Sequence, residues 1–515
     1  MRTRRWTVSL GLMTALVLGG LVGPGAGQTP ADTLVFVQGA DVVSFDPHRT
    51  VELVSGNVND KIYERLVVLD EKGGVQPRLA TQWAVSPDGR TWTFELRRNV
   101  VFHDGTPFNA EAVRVNFERM LDPGLRLPTA VLLGGVSRVR AASSHTVVLE
   151  TREPFGPLLY NLTHYSIAFI SPRALREGVD VARQPVGTGP YRFVSWIPKE
   201  AVVLEAHPRY WGEQPTLRRA IFRAVPDGTT RTVMLETGEA DIVANLPVQD
   251  VDRLRRRADL QVVVHPFNRV VWLMINTQRG PLRDVRIRQA LNYAVNKQAI
   301  ARAILRGFAE VPCSVVARAT FGYAKSECYS YNPSKAKALL AEAGYPNGFE
   351  VRLFSTSGRY LMDRETVEAV QGQLAGVGVQ VRLNLMEWAA FLSSTRRPPD
   401  QAEHDLALWA FGPATNDSDF VLATNFHSSA WPPAGNNRAY YRNEQVDQLI
   451  MEARATVDDS KRKAMYGRLI PMIMHDAPAI FLHELKQIYG VRASTGGLTF
   501  YPIEIVGITG ARKMR

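Results

Sequence analysis

The stretch WAFGPATNDSDF, Trp409 to Phe420, sets two carboxylates, Asp417 and Asp419, between aromatic rings. A strand-like run, DLALWAF, stops at Gly412-Pro413, and a short polar loop follows. Such a pair could cap a helix, ligate a metal, work as an acid and base, or hold a cation. As caps, the carboxylates would accept from the orphan N–H groups of a following FVLATNF helix and sit favourably in its dipole. A metal would call for histidine or cysteine partners, yet the ten histidines are scattered without i, i+4 pairs. Catalysis would call for a recognisable constellation. The chain has no G-x-S-x-G elbow and no P-loop, and His483-Glu484 lacks the second histidine of a zincin motif. GTGPYR lacks the third glycine of a dinucleotide fingerprint and leads into a strand. His103-Asp104-Gly105 reads as a turn after a strand. The cap and the cation hook stay open.

The surrounding elements are legible. In SPDGRTWTFELRRNVVFHDGTPF, Asp88-Gly89 marks a hairpin-type turn, and Trp92, Phe94 and Leu96 share one strand face. NAEAVRVNFERML reads as an amphipathic helix capped by Asn109, with Val113, Phe117 and Met120 on its stripe. YNPSKAKALLAEAGYPNG is a helix with Asn332 as cap and Pro333 at its first position. Ala336, Leu339, Leu340 and Ala343 form its buried stripe, and Gly344 and Pro346 end it. FEVRLFS, DRETVEAVQGQLAGVG and VQVRLNLME read as strand, helix, strand, a βαβ unit whose strands run parallel. The second half is therefore α/β, and the segment from about 78 to 184 is α+β.

A length of 515 residues suggests about three domains, and 45% apolar with 22% charged residues is ordinary for a globular chain. The net charge of +11 is spread along the sequence. Runs such as Arg253 to Arg257 read as solvated faces, and no nucleic-acid-binding signature accompanies them. The start of the chain has a basic MRTRRW, an apolar VSLGLMTALVLGGLVG and a small-residue GPGAGQTPA, the layout of a secretory signal peptide over 1–31. No cysteine lies near the cleavage region, so the mature protein is expected to be soluble, without a lipid anchor, in the periplasm. The two cysteines, Cys313 and Cys328, suit a local disulfide in an oxidising compartment; two free buried thiols are the alternative.

Several stretches together resemble one family. They are LATQWAVSPDGRTWTFELRRNVVFHDGTPFNAEAV (Leu79 to Val113), GTGPYRF, HPRYWGEQPTLRRAIFRAVPDGTTRTVMLETGEADI (His207 to Ile242), INTQRGPLRDVRIRQALNYAVNKQAI, YNPSKAKALLAEAGYPNGF and VGVQVRLNLMEWAAFL. In this order they are similar to the bacterial extracellular solute-binding proteins of family 5, the dipeptide- and oligopeptide-binding components of ABC transporters. The resemblance implies an α/β, periplasmic-binding-protein-like two-lobe fold (cluster C, type II) with an extra α+β domain on lobe I. Lobe I would take 32–77, 185–273 and 489–515, the extra domain 78–184, and lobe II 274–488. Hinges would fall near Val270 to Thr277 and Leu485 to Val491. The implied role is capture of a ligand between the lobes, without catalysis or cofactor. The protein would act as a monomer that hands a di- or oligopeptide to the permease and ATPase of an ABC importer. Glutathione, nickel chelates and oligosaccharides are the family's other ligands. A chaperone or sensor on the same scaffold, or an extracellular hydrolase, is a weaker alternative. The resemblance also implies site residues. Asp417 or Asp419 would take a peptide's ammonium, although Ser418 stands where the family often has proline. Arg359, in FSTSGRYLMD, would take its carboxylate, and Trp409 and Trp431 would supply aromatic walls or core packing. The loop SFDPHRTVELVSG would face the cleft, with Asp46-Pro47 structural.

Overall fold

The computed structural model describes residues 29–514. The signal peptide expected over 1–31 therefore lies almost wholly outside the described residues. Thr29 and Pro30, which a boundary at 31 would assign to it, are docked: the Thr29 hydroxyl donates to Asp241 at 2.9 Å, and the Pro30 carbonyl accepts from Lys513 at 3.0 Å.

Ten strands lie side by side in one large sheet. They are β1 (Thr33–Gln38), β2 (Tyr191–Ile197), β3 (Ala201–Ala206), β4 (Arg219–Ala224), β5 (Ile242–Ala244), β6 (Leu260–Ile275), β7 (Glu350–Thr356), β8 (Gln380–Met386), β9 (Leu406–Phe411) and β10 (Ala479–Arg492). Their order is β8-β7-β9-β6-β10-β5-β1-β4-β3-β2, and the short strand Ala309–Glu310 pairs with β10 off this line. The βαβ reading holds: β7 and β8 are parallel in register from Glu350↔Gln380 to Thr356↔Met386. They are joined by α1 (Asp363–Ala375), whose Val367, Val370 and Leu374 pack with Val351, Leu353, Val379 and Val381. A parallel pair needs this crossover, and the alternating apolar residues of each strand are what bury α1.

A separate antiparallel sheet holds Ala80–Val85, Thr91–Leu96, Thr146–Thr151 and Val136–Ser143, side by side in that order. Trp92, Phe94 and Leu96 all face its core, where they meet Val113, Phe117 and Met120 of the helix Ala110–Leu121. Asn109 caps that helix by accepting from the Ala112 N–H at 3.0 Å. In the second half, Cys313 and Cys328 are joined in a disulfide, with Cα atoms 4.6 Å apart.

The two long strands β6 and β10 tie the halves of the large sheet together. Their antiparallel ladder runs from Leu260↔Arg492 to Pro266↔Lys486 and resumes at Val270↔Glu484, with a register shift between. Pro266 has no N–H to give the ladder, and Phe267, Asn268 and Arg269 bulge out where the pairing lapses. The break thus lies just before the Val270 to Thr277 segment expected to hinge. Strand directions converge on it. On one side of the break, β7 and β9 are parallel to each other and β9 is antiparallel to β6, so both end toward the break. On the other side, β1 and β5 are parallel and β5 is antiparallel to β10, so these also end there. Carboxyl ends of strands from both halves of the sheet face each other across the break. In open α/β sheets this is where ligands sit.

Candidate functional site

The loop after β9 departs from the hook expectation. Asp417 is fully buried and caps α2 (Ser418–Asn425), accepting from the Asp419 N–H at 2.8 Å. The guanidinium of Arg462, also fully buried, donates through Nη2 to both Asp417 oxygens, at 2.8 and 2.7 Å. The Tyr466 hydroxyl lies 3.3 Å away. Burial pushes the Asp417 carboxyl up to about 6, against the pull of Arg462. Asp419 is gripped by Arg454, Nη2 to Oδ2 at 3.0 Å and Nε to Oδ1 at 3.1 Å. Arg454 lies in α3 (Glu444–Ala455) and Arg462 in α4 (Asp459–Asp476). Both aspartates are thus paired within the protein. The reason is neighbourhood: α3 and α4 bring two arginines to the start of α2, where a buried carboxylate is tolerable only as half of a pair. The same spot also docks the first-half domain, because the Gly156 N–H donates to the Arg454 carbonyl at 2.8 Å. A Cβ on Gly156 would lie 1.8 Å from the Thr456 carbonyl oxygen, so only glycine permits that approach.

Both tryptophans have structural engagements. Trp409 is 6% exposed and donates its indole N–H to Asn425 at 3.0 Å. Trp431 donates to the Tyr441 carbonyl at 2.9 Å and meets Tyr440 edge-on. Core packing accounts for both. The aromatic wall nearer the strand ends is Trp388, half-buried, stacked on Trp409 with centroids 6.0 Å apart. Asp46 is likewise structural, being buried and paired with Arg119 at 2.6 Å.

Arg359 fares differently. It follows β7, its side chain is exposed, and its guanidinium lies 5.0 Å from the Trp388 ring and 5.3 Å from the Tyr360 ring. Two residues absent from the sequence-based set join it. Arg269, in the break of β6, rests over Phe267 at 4.5 Å and reaches toward Glu504, Nη2 to Oε2 3.9 Å, with side chains 19% and 20% exposed. That distance is an ion pair but too long for a hydrogen bond. Burial pulls the Arg269 guanidinium below its usual range; Glu504 opposes this and the like charge of Arg359 adds to it. Glu504 accepts from the Asn245 side chain at 3.0 Å, and Asn245 follows the carboxyl end of β5. Glu504 and Asn245 both adopt left-handed backbone, φ 60° and 53°. For a glutamate this is an uncommon and costly conformation. It is held by the Asn268 N–H to the Pro502 carbonyl at 3.0 Å and by Gln487 to the Tyr501 carbonyl at 2.9 Å.

Deeper in lobe II, Arg438 is fully buried with no carboxylate partner among the described residues. Its guanidinium lies 3.6 Å from the centre of the Trp409 ring, and burial pulls it down to about 9. Tyr360 feels all three guanidiniums, Arg359, Arg269 and Arg438. Three guanidiniums thus gather at the facing strand ends, and Glu504 is the carboxylate that faces Arg269. Among the described residues, neither the Arg269 nor the Arg359 guanidinium donates a hydrogen bond to the protein. A charged cavity beside the break, about 420 Å³, differs in this respect. There Glu310 is paired with both Lys486 and Arg318, and Glu484 accepts from the Arg318 N–H.

The sequence carried faint signs of this cluster. Arg269 is the one Lys, Arg, Asp or Glu in the strand Leu260–Ile275, and Glu504 stands alone between Ile503 and Ile505. Gly412 is a further sign. A Cβ there would lie 2.8 Å from the Asn268 carbonyl oxygen and 3.0 Å from the Arg269 Cα, so the loop can leave β9 only by pressing bare backbone against the break.

Comparison with known proteins points the same way. The family described as bacterial extracellular solute-binding proteins, family 5, matches residues 74–433. The glutathione-binding protein GsiB of Pectobacterium atrosepticum is 33% identical over 483 residues, spanning 93% of this chain and 92% of that protein. GsiB of Escherichia coli is 31% identical over 504 residues, spanning 97% and 96%. Among solved structures, Helicobacter pylori DppA in complex with the peptide STSA is 27% identical. It matches with a TM-score of 0.80 over 94% of this chain and 98% of that one. A dipeptide-binding protein from a Pseudoalteromonas species, in complex with Met-Leu, is 26% identical. Its TM-score is 0.80 over 93% of this chain and 100% of that one.

Proposed function

The chain belongs to the bacterial extracellular solute-binding proteins of family 5, and we propose that it captures a small anionic peptide of the glutathione type for an ABC importer. The observation that carries this reading is the state of the charges at the facing strand ends: the Arg269 and Arg359 guanidiniums make no hydrogen bond to the protein among the described residues, and Glu504 faces Arg269 at 3.9 Å. Glutathione carries two carboxylates and one ammonium, the complement of that set. The names of the relatives support the same ligand class. A neutral dipeptide is the second reading, favoured by the Met-Leu complex of a structural neighbour. It would use Arg359 and Glu504 and leave Arg269 without a ligand partner.

The mechanism follows from placement. Glu504 comes from the C-terminal return of the chain, Arg359 from the end of β7, and Arg269 from the strand that joins the halves. A ligand touching all three is contacted by both lobes only when they are closed, so its differential affinity shifts the population toward closure. The closed form is what the permease and its ATPase would read. Among the described residues no helix is long and apolar enough to cross a membrane. The signal-peptide layout of the sequence supports delivery to the periplasm.

A thermal-shift panel tests the ligand class. At about 100 times Kd a ligand specific to the folded state adds roughly 2.7 kcal/mol, a shift easily resolved. Glutathione should raise Tm more than Met-Leu, Ala-Ala, a nickel–histidine chelate or cellobiose. A shift with cellobiose or the chelate and none with any peptide would overturn the proposal.

A further inference from the structure

We infer that the ligand's ammonium is held by Glu504 of lobe I, while its carboxylates are divided between Arg359 of lobe II and Arg269 of the joining strand. The inference rests on the proposed peptide reading and adds which residue takes which end.

An ammonium in a closed cleft needs a carboxylate, and the two in the loop after β9 are held by Arg462 and Arg454. Asp363, after β7, is buried and accepts from the Thr356 hydroxyl and the N–H groups of Gly358, Arg359 and Tyr360. Glu504, by contrast, is left under-used by its protein contacts. It accepts one hydrogen bond, from Asn245, and sees Arg269 only at 3.9 Å. An ionised carboxylate has about four acceptor directions. Its backbone is held left-handed, and strain of this kind is kept where the surrounding structure needs a side chain aimed in one direction. The arginines show the converse: two guanidiniums, each seated on an aromatic ring and making no hydrogen bond to the protein among the described residues. A planar fork in that state is suited to a carboxylate.

The division has a consequence for closure. The ammonium belongs to one lobe and a carboxylate to the other, so a ligand lacking either end would bind without bridging. Trp388, beneath Arg359, then forms the wall on which the ligand's middle lies.

The test is a two-by-two calorimetric titration. Wild type and Glu504→Gln are each titrated with glutathione and with its des-amino analogue, in which γ-glutaryl replaces γ-glutamyl. Glutamine keeps the Asn245 contact, so the variant should fold, and its unperturbed Tm is checked first. Losing a charge-assisted contact predicts that wild type prefers glutathione by roughly 10- to 100-fold, and that Glu504→Gln loses most of this preference. Arg269→Gln should weaken glutathione by a similar factor while leaving Met-Leu affinity nearly unchanged. If Glu504→Gln discriminates against the analogue as wild type does, the assignment is wrong. If wild type binds Met-Leu and not glutathione, the ligand class fails. The assignment is then judged on Met-Leu against N-acetyl-Met-Leu, where the same loss of preference in Glu504→Gln sustains it and an unchanged preference overturns it.

Discussion

Asp417→Asn separates two accounts of the loop after β9. If Asp417 held the ligand's ammonium, the variant would stay folded and lose affinity. The structure predicts the reverse. The carboxylate and its Arg462 partner are both fully shielded, and two charge-assisted hydrogen bonds, 2.8 and 2.7 Å, join them. Asparagine preserves the cap, since its side-chain oxygen can still accept from the Asp419 N–H. It removes the charge and leaves Arg462 buried and uncompensated. Breaking a buried pair in this way costs about 3–5 kcal/mol. For a cooperative unit of about 200 residues, 1 kcal/mol moves Tm by roughly 2–4 °C, so a fall of about 10 °C is expected. Ligand affinity, measured by titration well below the new Tm, should stay within about threefold of wild type, because neither partner lies among Arg269, Arg359 and Glu504. Adding Arg462→Met to Asp417→Asn should recover part of the lost stability by removing the stranded cation. An unchanged Tm with lost ligand affinity would refute the reasoning and return Asp417 to the cleft.

Other consequences are open to measurement. Five histidines are held neutral by burial: His48, His103 and His404 fall to about 4, and His164 and His483 to about 3. Each folded value lies below the unfolded value, so the unfolded chain binds more protons in between, and stability is lost as pH falls from about 6.5 toward 4. At pH 5 each such group costs about 2 kcal/mol, and Tm should drop steeply between pH 7 and 5; a flat profile would contradict the burial. Reducing the Cys313–Cys328 bridge, whose residues are 15 apart, should cost about 3 kcal/mol, read as a lower Tm with dithiothreitol and no change in the spectrum of the folded state. Gly412→Ala should force the break of β6 to shift, since the added methyl meets Asn268 and Arg269 backbone at 2.8–3.0 Å. Glutathione affinity should fall by about tenfold or more, with at most about 1–3 kcal/mol lost in stability.

Local elements were readable because their signals are local. The helix Ala110–Leu121, the buried face of Thr91–Leu96 and the parallel pair β7/β8 followed from caps, alternation and crossover length. The place of Arg359 just after β7 was readable too, although its role came only from the family resemblance. The pairing of the NDSDF aspartates was not readable, because the arginines that meet them lie 35 and 45 positions away, on helices whose packing no short motif records. Glu504 and Arg269 went unseen for the opposite reason. They are separated by more than two hundred positions and meet only because β10 returns the chain to lobe I. Their one local trace, a lone charge in each segment, becomes informative only once strand directions show that both lie at the same break.

The central claim, capture of an anionic peptide between strand ends bearing more guanidinium than carboxylate, is tested most directly by calorimetric titration of the wild-type protein with glutathione. The protein should first be unfolded and refolded to remove any bound solute. The account predicts one site per chain, micromolar or tighter, with glutathione preferred over neutral dipeptides such as Met-Leu. Heat from Met-Leu with none from glutathione would contradict it.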